Sequence, residues 1–280
     1  MSSNKHHTFT QGISTPRILV ESALMVAIAT VLSMIRMVDL PYGGSVTIGC
    51  MLPVIVISYR HGLRWGALTG FVFGILQQLL GLRVLSYVTT WQSIVAVILL
   101  DYIAAYTVTG LGGIFRGMKK MNQSSAFLAG TLFVCLLRYI CHVISGATVW
   151  AGLSIPSRAA LLYSIGYNAT YMIPETIVTA VLAYYIGSMV DFRSEQITPF
   201  HKTTGSAGIM RGWIGGLCLA SVAILDALLV FSRLQNAETG EFDITGLGGV
   251  NWLLIGIITA VGIAVFLILQ FVGKQKNGEQ

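Results

Sequence analysis

Charged side chains are scarce in this sequence of 280 residues, of which they make up 10%, whereas about 25% is usual for a soluble domain. Hydrophobic residues make up 55% of it. These two values exclude an ordinary soluble protein and indicate an integral membrane protein. Because each membrane-spanning helix needs roughly 20 mainly apolar residues, we expect the spans to leave no room for a sizeable soluble domain.

Motifs for metal, redox or nucleotide chemistry are also lacking. The four cysteines are scattered, without the spacing of metal ligands or of a disulfide framework, and no segment fits the phosphate-binding pattern G-x4-G-K-[ST]. We therefore expect no metal site, no cofactor and no catalytic residue. The net charge of +6 comes from basic residues spread over short loops, which favours an explanation by membrane topology over a nucleic-acid partner.

Eight apolar stretches are candidate membrane spans: Ile18 to Met37, Thr47 to Tyr59, Trp65 to Leu80, Trp91 to Phe115, Ser125 to Trp150, Met172 to Val190, Trp213 to Phe231 and Asn251 to Val272. If the N-terminus is inside, twelve Lys and Arg residues fall in inside segments and four fall outside. Since basic residues accumulate in cytoplasmic loops, this bias predicts an all-α fold of eight spans with both termini cytoplasmic.

A polar segment divides the chain. Residues 191–212 (DFRSEQITPFHKTTGSAGIMRG) are rich in Gly, Ser, Thr and charged residues, and we expect them to form a cytoplasmic linker. The linker separates a six-helix membrane domain, residues 1–190, from a two-helix membrane extension, residues 213–280. Nothing in the sequence indicates a role for the extension.

Ionisable side chains at membrane depth are costly, so they usually face a cavity or a partner. Those in or beside the predicted spans are Glu21, Asp101, Arg138, His142, Asp226 and, near the predicted start of the sixth span, Glu175. Asp101 and His142 both lie roughly 12–15 Å below the outer surface, at about 1.5 Å of rise per residue. The two side chains can therefore line one outward-facing pocket. An unpaired aspartate there would favour a cationic ligand.

A second pattern lies on the fifth span. His142, Gly146 and Trp150 are four residues apart and so share one helix face. An imidazole and an indole on either side of a glycine suit a flat heteroaromatic ligand, since the glycine lets the ligand approach the backbone. Three alternatives remain open at this point: Trp150 is only an interfacial anchor, His142 is a structural histidine, or Asp101 pairs with Arg138.

On the first span, Ala23 and Ala27 have small-xxx-small spacing, which permits close helix approach in a membrane. Ordinary packing within the chain and docking of a partner subunit both fit this pattern.

Four segments in order resemble one bacterial family, and they are LPYGGSVTIGCMLPVIVISYRHGLRWGALTGFVFGILQ, LLDYIAA, RYICHVISGATVW and YSIGYNATYMIPE. The family is the energy-coupling-factor (ECF) thiamine transporter substrate-binding component, or S component, a six-helix membrane protein. The resemblance covers roughly residues 16–190. It implies an importer subunit of the cell membrane that captures thiamine outside and releases it inside, together with a transmembrane coupling subunit and two ATPase subunits.

The resemblance also implies residue roles. Asp101 would face the thiazolium ring, His142 and Trp150 would stack on that ring, and Tyr102 would bond the hydroxyethyl group. Tyr163 and Asn168 would help to hold the aminopyrimidine, and the Ala23 and Ala27 face would be a docking surface for the coupling subunit. The first outer loop has Gly43, Gly44 and Ser45 where some members carry a covering tryptophan, so no lid residue is named.

Other functions stay open. An S component for another vitamin, or for a thiamine precursor without the thiazole, belongs to the same class. A stand-alone proton-coupled carrier would rely on Asp101, Arg138 and Asp226. A membrane-embedded enzyme would use Asp101 and His142 as acid and base, but the sequence offers it no convincing nucleophile.

Overall fold

The computed structural model describes residues 14–40, 43–152, 157–199, 206–234 and 244–275. Its main elements in chain order are helix α1 (Thr15–Met34), strands β1 (Arg36–Asp39) and β2 (Ser45–Thr47), helices α2 (Leu52–His61), α3 (Leu63–Leu80), α4 (Trp91–Leu111), α5 (Gln123–Gly152) and α6 (Ser157–Met189), strands β3 (Val190–Asp191) and β4 (Thr198–Pro199), and helices α7 (Ser206–Leu234) and α8 (Trp252–Gln275). Each strand pair is a small antiparallel hairpin. The fold is thus a bundle of helices, as the sequence predicts.

Six of the described helices are long and apolar enough to cross a membrane, and they are α1, α4, α5, α6, α7 and α8. Helices α2 and α3 are not among them. Helix α2 has 10 residues, which rise only about 15 Å, half of a bilayer core of about 30 Å. Nine of its residues, Leu52 to Arg60, are buried by neighbouring helices. The predicted count of eight spans, and the side on which each terminus lies, stay predictions.

Helix α4 changes its hydrogen-bonding pattern midway, because Val97–Ala104 forms a π-helix inside it. Asp101 and Tyr102 lie within this segment. A π-helical turn widens the backbone and reorients the side chains it carries, and such turns are frequent at functional sites. The local geometry of α4 therefore sets where the carboxylate of Asp101 lies.

The predicted start of the sixth span was wrong. Helix α6 begins at Ser157 rather than at Met172 and has 33 residues, with Pro174 inside it. Its first half carries Ser, Tyr and Asn side chains that face α5 and a cavity, so its sequence is less apolar than that of a lipid-facing span. Glu175 is consequently in the middle of a long helix and 1% exposed, not near a helix start as the sequence suggested.

The start of the predicted linker packs against the bundle. Arg60 donates hydrogen bonds from Nη1 to the carbonyl oxygen of Ser194 at 2.7 Å, and from Nε to Glu21 Oε2 at 2.7 Å. Phe192 is buried beside the rings of Tyr59 and Phe127. One end of α1, one end of α2 and residues 192–195 are thereby joined at one end of the bundle.

The two C-terminal helices form a hairpin that contacts the rest of the protein. Helix α7 packs on α6 and reaches β1, while α8 packs on α7. Between α7 and α8, Thr259 Oγ1 donates to Asp226 Oδ2 at 2.7 Å, so the aspartate at membrane depth has a polar partner. In the described part of the chain, the extension therefore lies against α6 and β1 of the preceding domain.

Candidate ligand-binding site

A cavity of about 620 Å³ lies between β1, β2 and helices α3 to α6. Ligand pockets are typically about 300–1,000 Å³, so this one can hold a small molecule of two rings. Its lining is both polar and aromatic. Of the seven residues predicted to bind the ligand, five line the cavity, namely Asp101, Tyr102, His142, Gly146 and Asn168.

Asp101 and His142 form the polar pair of this cavity. The Asp101 Oδ1 oxygen lies 2.8 Å from His142 Nδ1. His142 is 8% exposed, and its Nε2 atom has no hydrogen-bond partner among the described residues. The ring of Tyr171 stands edge-on to the imidazole with 6.1 Å between centroids. A buried polar atom without a partner is unusual in native proteins, so Nε2 is available to a ligand in the cavity.

A buried ion pair lies elsewhere on the lining. Arg138 Nη1 donates to Glu175 Oε2 at 2.8 Å, Arg138 Nη2 donates to the Tyr106 hydroxyl at 3.3 Å, and Thr47 Oγ1 donates to Glu175 Oε1 at 2.8 Å. The guanidinium carbon is also 4.8 Å from the centroid of the Tyr106 ring. The alternative that Asp101 pairs with Arg138 is therefore wrong, because Glu175 is the partner of that arginine.

The pairing of charges distinguishes Asp101 from two other acidic residues of the lining. Glu175 faces Arg138, and Asp39 lies 3.0 Å from Arg36. Each of these carboxylates is balanced by a permanent cation. Asp101 has a histidine as its partner, and no arginine or lysine of the described residues pairs with its carboxylate. The carboxylate of Asp101 is therefore the acidic group of the lining that is best placed to attract a positively charged part of a ligand.

Two further predicted residues line the cavity with their polar groups engaged within the protein. The Tyr102 hydroxyl donates to the carbonyl oxygen of Gly81 at 3.3 Å. The Asn168 amide donates to the carbonyl oxygen of Ser164 at 2.9 Å and accepts from the Tyr171 hydroxyl at 2.7 Å. A ligand would have to share or replace these bonds.

Gly146 has a structural use besides its place in the lining. A side chain at Gly146 would collide with Ser164 Oγ and come within 3.2 Å of Asn168 Nδ2. The glycine thus allows α5 and α6 to approach closely and keeps Asn168 in position.

Tyr163 and Trp150 are not placed in the cavity by the structure. Among the described residues, Tyr163 packs in an apolar cluster with Tyr167 and Tyr171 and is not part of the lining. The side chain of Trp150 lies outside the described residues, so its contact with a ligand stays a prediction.

Sequence reasoning missed several lining residues. Tyr167 and Tyr171 lie four residues apart on α6 and line the cavity, and Glu175, which the sequence singled out only as an ionisable residue at membrane depth, continues the same spacing. The signal that could have found them is this i, i+4, i+8 spacing, which places side chains on one helix face. The spacing was hidden because the sixth span was predicted to begin at Met172, which leaves Tyr167 and Tyr171 before the span.

Fold and site together define a class. The chain is a multi-pass helical membrane protein with a small-molecule cavity, and among the described residues Asp101 in its lining has no arginine or lysine partner. A family model described as thiamine transporter protein (Thia_YuaJ) matches residues 19–191, and the chain belongs to this family. It is accordingly a multi-pass bacterial membrane protein. Because the family is one of transporters, the expectation that the chain is not an enzyme is confirmed, and the enzyme alternative is set aside.

Two curated relatives are thiamine transporters named ThiT. The one from Bacillus subtilis is 33% identical over 174 residues, which are 59% of this chain and 86% of the relative. The one from Lacticaseibacillus paracasei is 28% identical over 180 residues, covering 59% of this chain and 84% of the relative. Helices α7 and α8 lie outside the residues that the family model matches.

A solved structure of ThiT from Listeria monocytogenes superposes with a TM-score of 0.51 and 22% identity, covering 61% of this chain and 93% of that one. At this identity the likeness shows the fold. It agrees with the helical bundle described above.

Proposed function

We propose that this chain is the thiamine-binding S component of an ECF importer, which captures thiamine from outside and delivers it inward with an ATPase module. The observation that carries the proposal is the Asp101–His142 pair on the wall of the cavity. Its carboxylate has no arginine or lysine partner among the described residues, so a ligand with a permanent positive charge is favoured there. Thiamine has such a charge on its thiazolium ring, and membership of the transporter family supports the same cargo.

In this proposal the ligand is oriented by Asp101, Tyr102, His142, Gly146, Trp150 and Asn168. Tyr163, which is not part of the lining, acts through Tyr167 and Tyr171, with which it packs. The thiazolium lies beside Asp101, and Nε2 of His142, which has no partner among the described residues, supplies a hydrogen-bonding atom.

Residues 1–190 form the binding domain, residues 191–212 the cytoplasmic linker and residues 213–280 the extension. We further infer eight spans with both termini cytoplasmic, since this arrangement leaves four of the seventeen Lys and Arg residues outside.

The proposal is tested by purifying the full chain in detergent and titrating it with thiamine and with hydroxymethylpyrimidine, which lacks the thiazolium. Tight binding of thiamine and much weaker binding of the pyrimidine are expected. Comparable affinity for both would assign the chain to a precursor transporter. Binding of neither would reject the proposed cargo.

The docking surface is proposed on α1. Ala23 and Ala27 are exposed on this helix, as are Leu19, Val20, Leu24, Ile28 and Val31 at 39–68%. A face with small residues between large apolar ones allows a second helix to approach closely in a membrane. The coupling subunit is the occupant we propose for it.

Replacing both alanines by leucine is expected to abolish thiamine uptake in cells that express the coupling and ATPase subunits, because the added bulk keeps the partner helix away. Thiamine binding by the purified variant should stay within about twofold of the wild type. A matched control is available on α8, where Ala260 and Ala264 are also exposed and four residues apart. Leucines at that pair should leave uptake intact. Equal loss of binding and uptake from the Ala23 and Ala27 change would show that these residues pack the fold.

A further inference from the structure

The extension contributes a side chain to the cavity. Phe231, in the last turn of α7, is part of the lining, although it lies outside the residues matched by the family model. The other lining residues come from residues 33–175. An aromatic ring from the added helix therefore borders the space in which a ligand would lie.

The last turn of α7 is fixed against the strands that border the cavity. Leu234 is 0% exposed and lies in one apolar cluster with Val38, Leu40 and Val46. Tyr167 and Tyr171, which also line the cavity, belong to the same cluster. Phe231 packs against this cluster from its edge. The position of its ring is thus determined by buried contacts rather than by an exposed helix end.

The segment after α7 adds a second support. Leu247, in the short 3-10 helix Ile244–Gly249, packs against the same cluster. Gly246 is so close to the end of α7 that a side chain there would collide with the carbonyl oxygen of Arg233. This contact requires glycine at position 246 and holds the turn against the residues that follow Phe231.

Two glycines between β1 and β2 line the cavity near this cluster. Gly43 and Gly44 have positive φ angles of 95° and 91°. A side chain at Gly44 would come within 2.6 Å of the Tyr171 ring. The Tyr171 ring therefore requires glycine at position 44, and Phe231 of α7 adds another aromatic side chain to the lining.

We propose that the last turn of α7 is part of the cavity wall and that Phe231 is a ligand-contacting residue that slows release of the bound molecule. This inference rests on the proposed function, since it assigns a further residue to the same site. An aromatic ring suits a flat cationic ligand because it offers apolar area and the negative face of its π-system. The extension then serves ligand retention, a role that the sequence did not indicate.

The test measures thiamine affinity and dissociation rate for the purified full chain carrying Phe231→Ala. We expect the Kd to rise about tenfold, the scale of one lost aromatic contact with a cation, mainly through faster dissociation. Phe231→Trp, which keeps an aromatic face, should retain an affinity within about threefold of the wild type. Phe231→Leu, which keeps the apolar packing but loses the ring, should lie between the two.

Phe266→Ala is the matched control, because it makes the same change in the extension but at a residue that packs near Gly215, at the other end of α7. Phe266→Ala should leave the Kd and the dissociation rate of thiamine unchanged. Thermal unfolding of the ligand-free proteins identifies any variant that fails to fold. If Phe231→Ala does not fold, the inference is judged from the thiamine affinities of Phe231→Trp, Phe231→Leu and the wild type. If the wild type binds thiamine and the folded variants at position 231 have the same affinity and dissociation rate, this inference is overturned and the proposed function is not. Wild type that binds no thiamine would reject the proposed function instead.

Discussion

Asp101→Asn is expected to weaken thiamine binding by about 2–5 kcal/mol, the usual cost when one member of a buried charge pair is removed. Asparagine has nearly the same shape, and its amide oxygen can still accept from His142 Nδ1, which lies 2.8 Å from Asp101 Oδ1. The substitution thus removes the charge and keeps most of the hydrogen bonding. The loss of affinity should come from the missing attraction to the thiazolium.

Two comparisons isolate the charge. Hydroxymethylpyrimidine has no thiazolium, so its affinity should fall far less than that of thiamine in Asp101→Asn. Asp39→Asn is the matched control: Asp39 also lines the cavity, but it is 57% exposed and paired with Arg36, so its loss should cost thiamine about 0–1 kcal/mol. Calorimetric titration of both ligands into the three proteins gives these values. Equal losses for the two ligands would mean that Asp101 serves the structure or the hydrogen bonding, and not the cation.

The parts of the site that sequence could predict are those that depend on depth alone. Asp101 and His142 are at matching distances from one end of neighbouring spans, and the structure brings them to 2.8 Å. Depth follows from the helical rise and the positions of the span ends, both of which the sequence contains. Membership of the thiamine transporter family was predictable for a similar reason, because four ordered motifs lie in one chain.

The partner of a buried charge was beyond prediction. The sequence left Asp101 open as the partner of Arg138, but the structure pairs Arg138 with Glu175 on α6. Choosing between the two carboxylates requires the rotation of each helix about its axis, and α4 has a π-helical segment that alters this rotation at Asp101. Hydrophobic periodicity assumes a regular helix and does not include such a segment.

The boundary of α6 shows a different limit. A hydropathy pattern detects the faces that meet lipid, whereas the first half of α6 turns Ser164, Tyr167 and Asn168 inward and buries them. Polar residues that face a cavity weaken the signal of the span that carries them. The residues nearest to a binding site are thus the ones most easily assigned to a loop.

The same reasoning applies to the extension. The polar composition of residues 191–212 indicates a break, but it does not show that Phe192 is buried in the main core or that Leu234 packs on the β hairpin. Contacts between distant segments depend on which faces meet, and the sequence of each helix leaves several faces apolar. Only the three-dimensional arrangement brings Phe231 to the cavity.

Glu175→Ala is expected to reduce the free energy of unfolding by about 3–5 kcal/mol, because it leaves a buried guanidinium without its counter-charge. The side chains of Arg138 and Glu175 are 6% and 1% exposed, so little water reaches either charge although both residues line the cavity. Thr47 would also lose its acceptor. Unfolding of ligand-free protein by SDS in mixed micelles measures the change without the added stability that bound thiamine gives.

Removing both charges should restore most of the lost stability. A buried ion pair replaced by apolar residues of similar volume is often no less stable than the original pair, so Arg138→Met combined with Glu175→Leu is expected to unfold close to the wild type. The exposed pair of Arg36 and Asp39 gives the control, since its side chains are 46% and 57% exposed and Arg36→Ala should cost about 0–1 kcal/mol. A loss for Glu175→Ala no larger than that of the control would show that the ion pair is hydrated in the membrane. A double variant as unstable as the single one would show that the hydrogen bonds to Tyr106 and Thr47, rather than the charges, hold α5 and α6 at this depth.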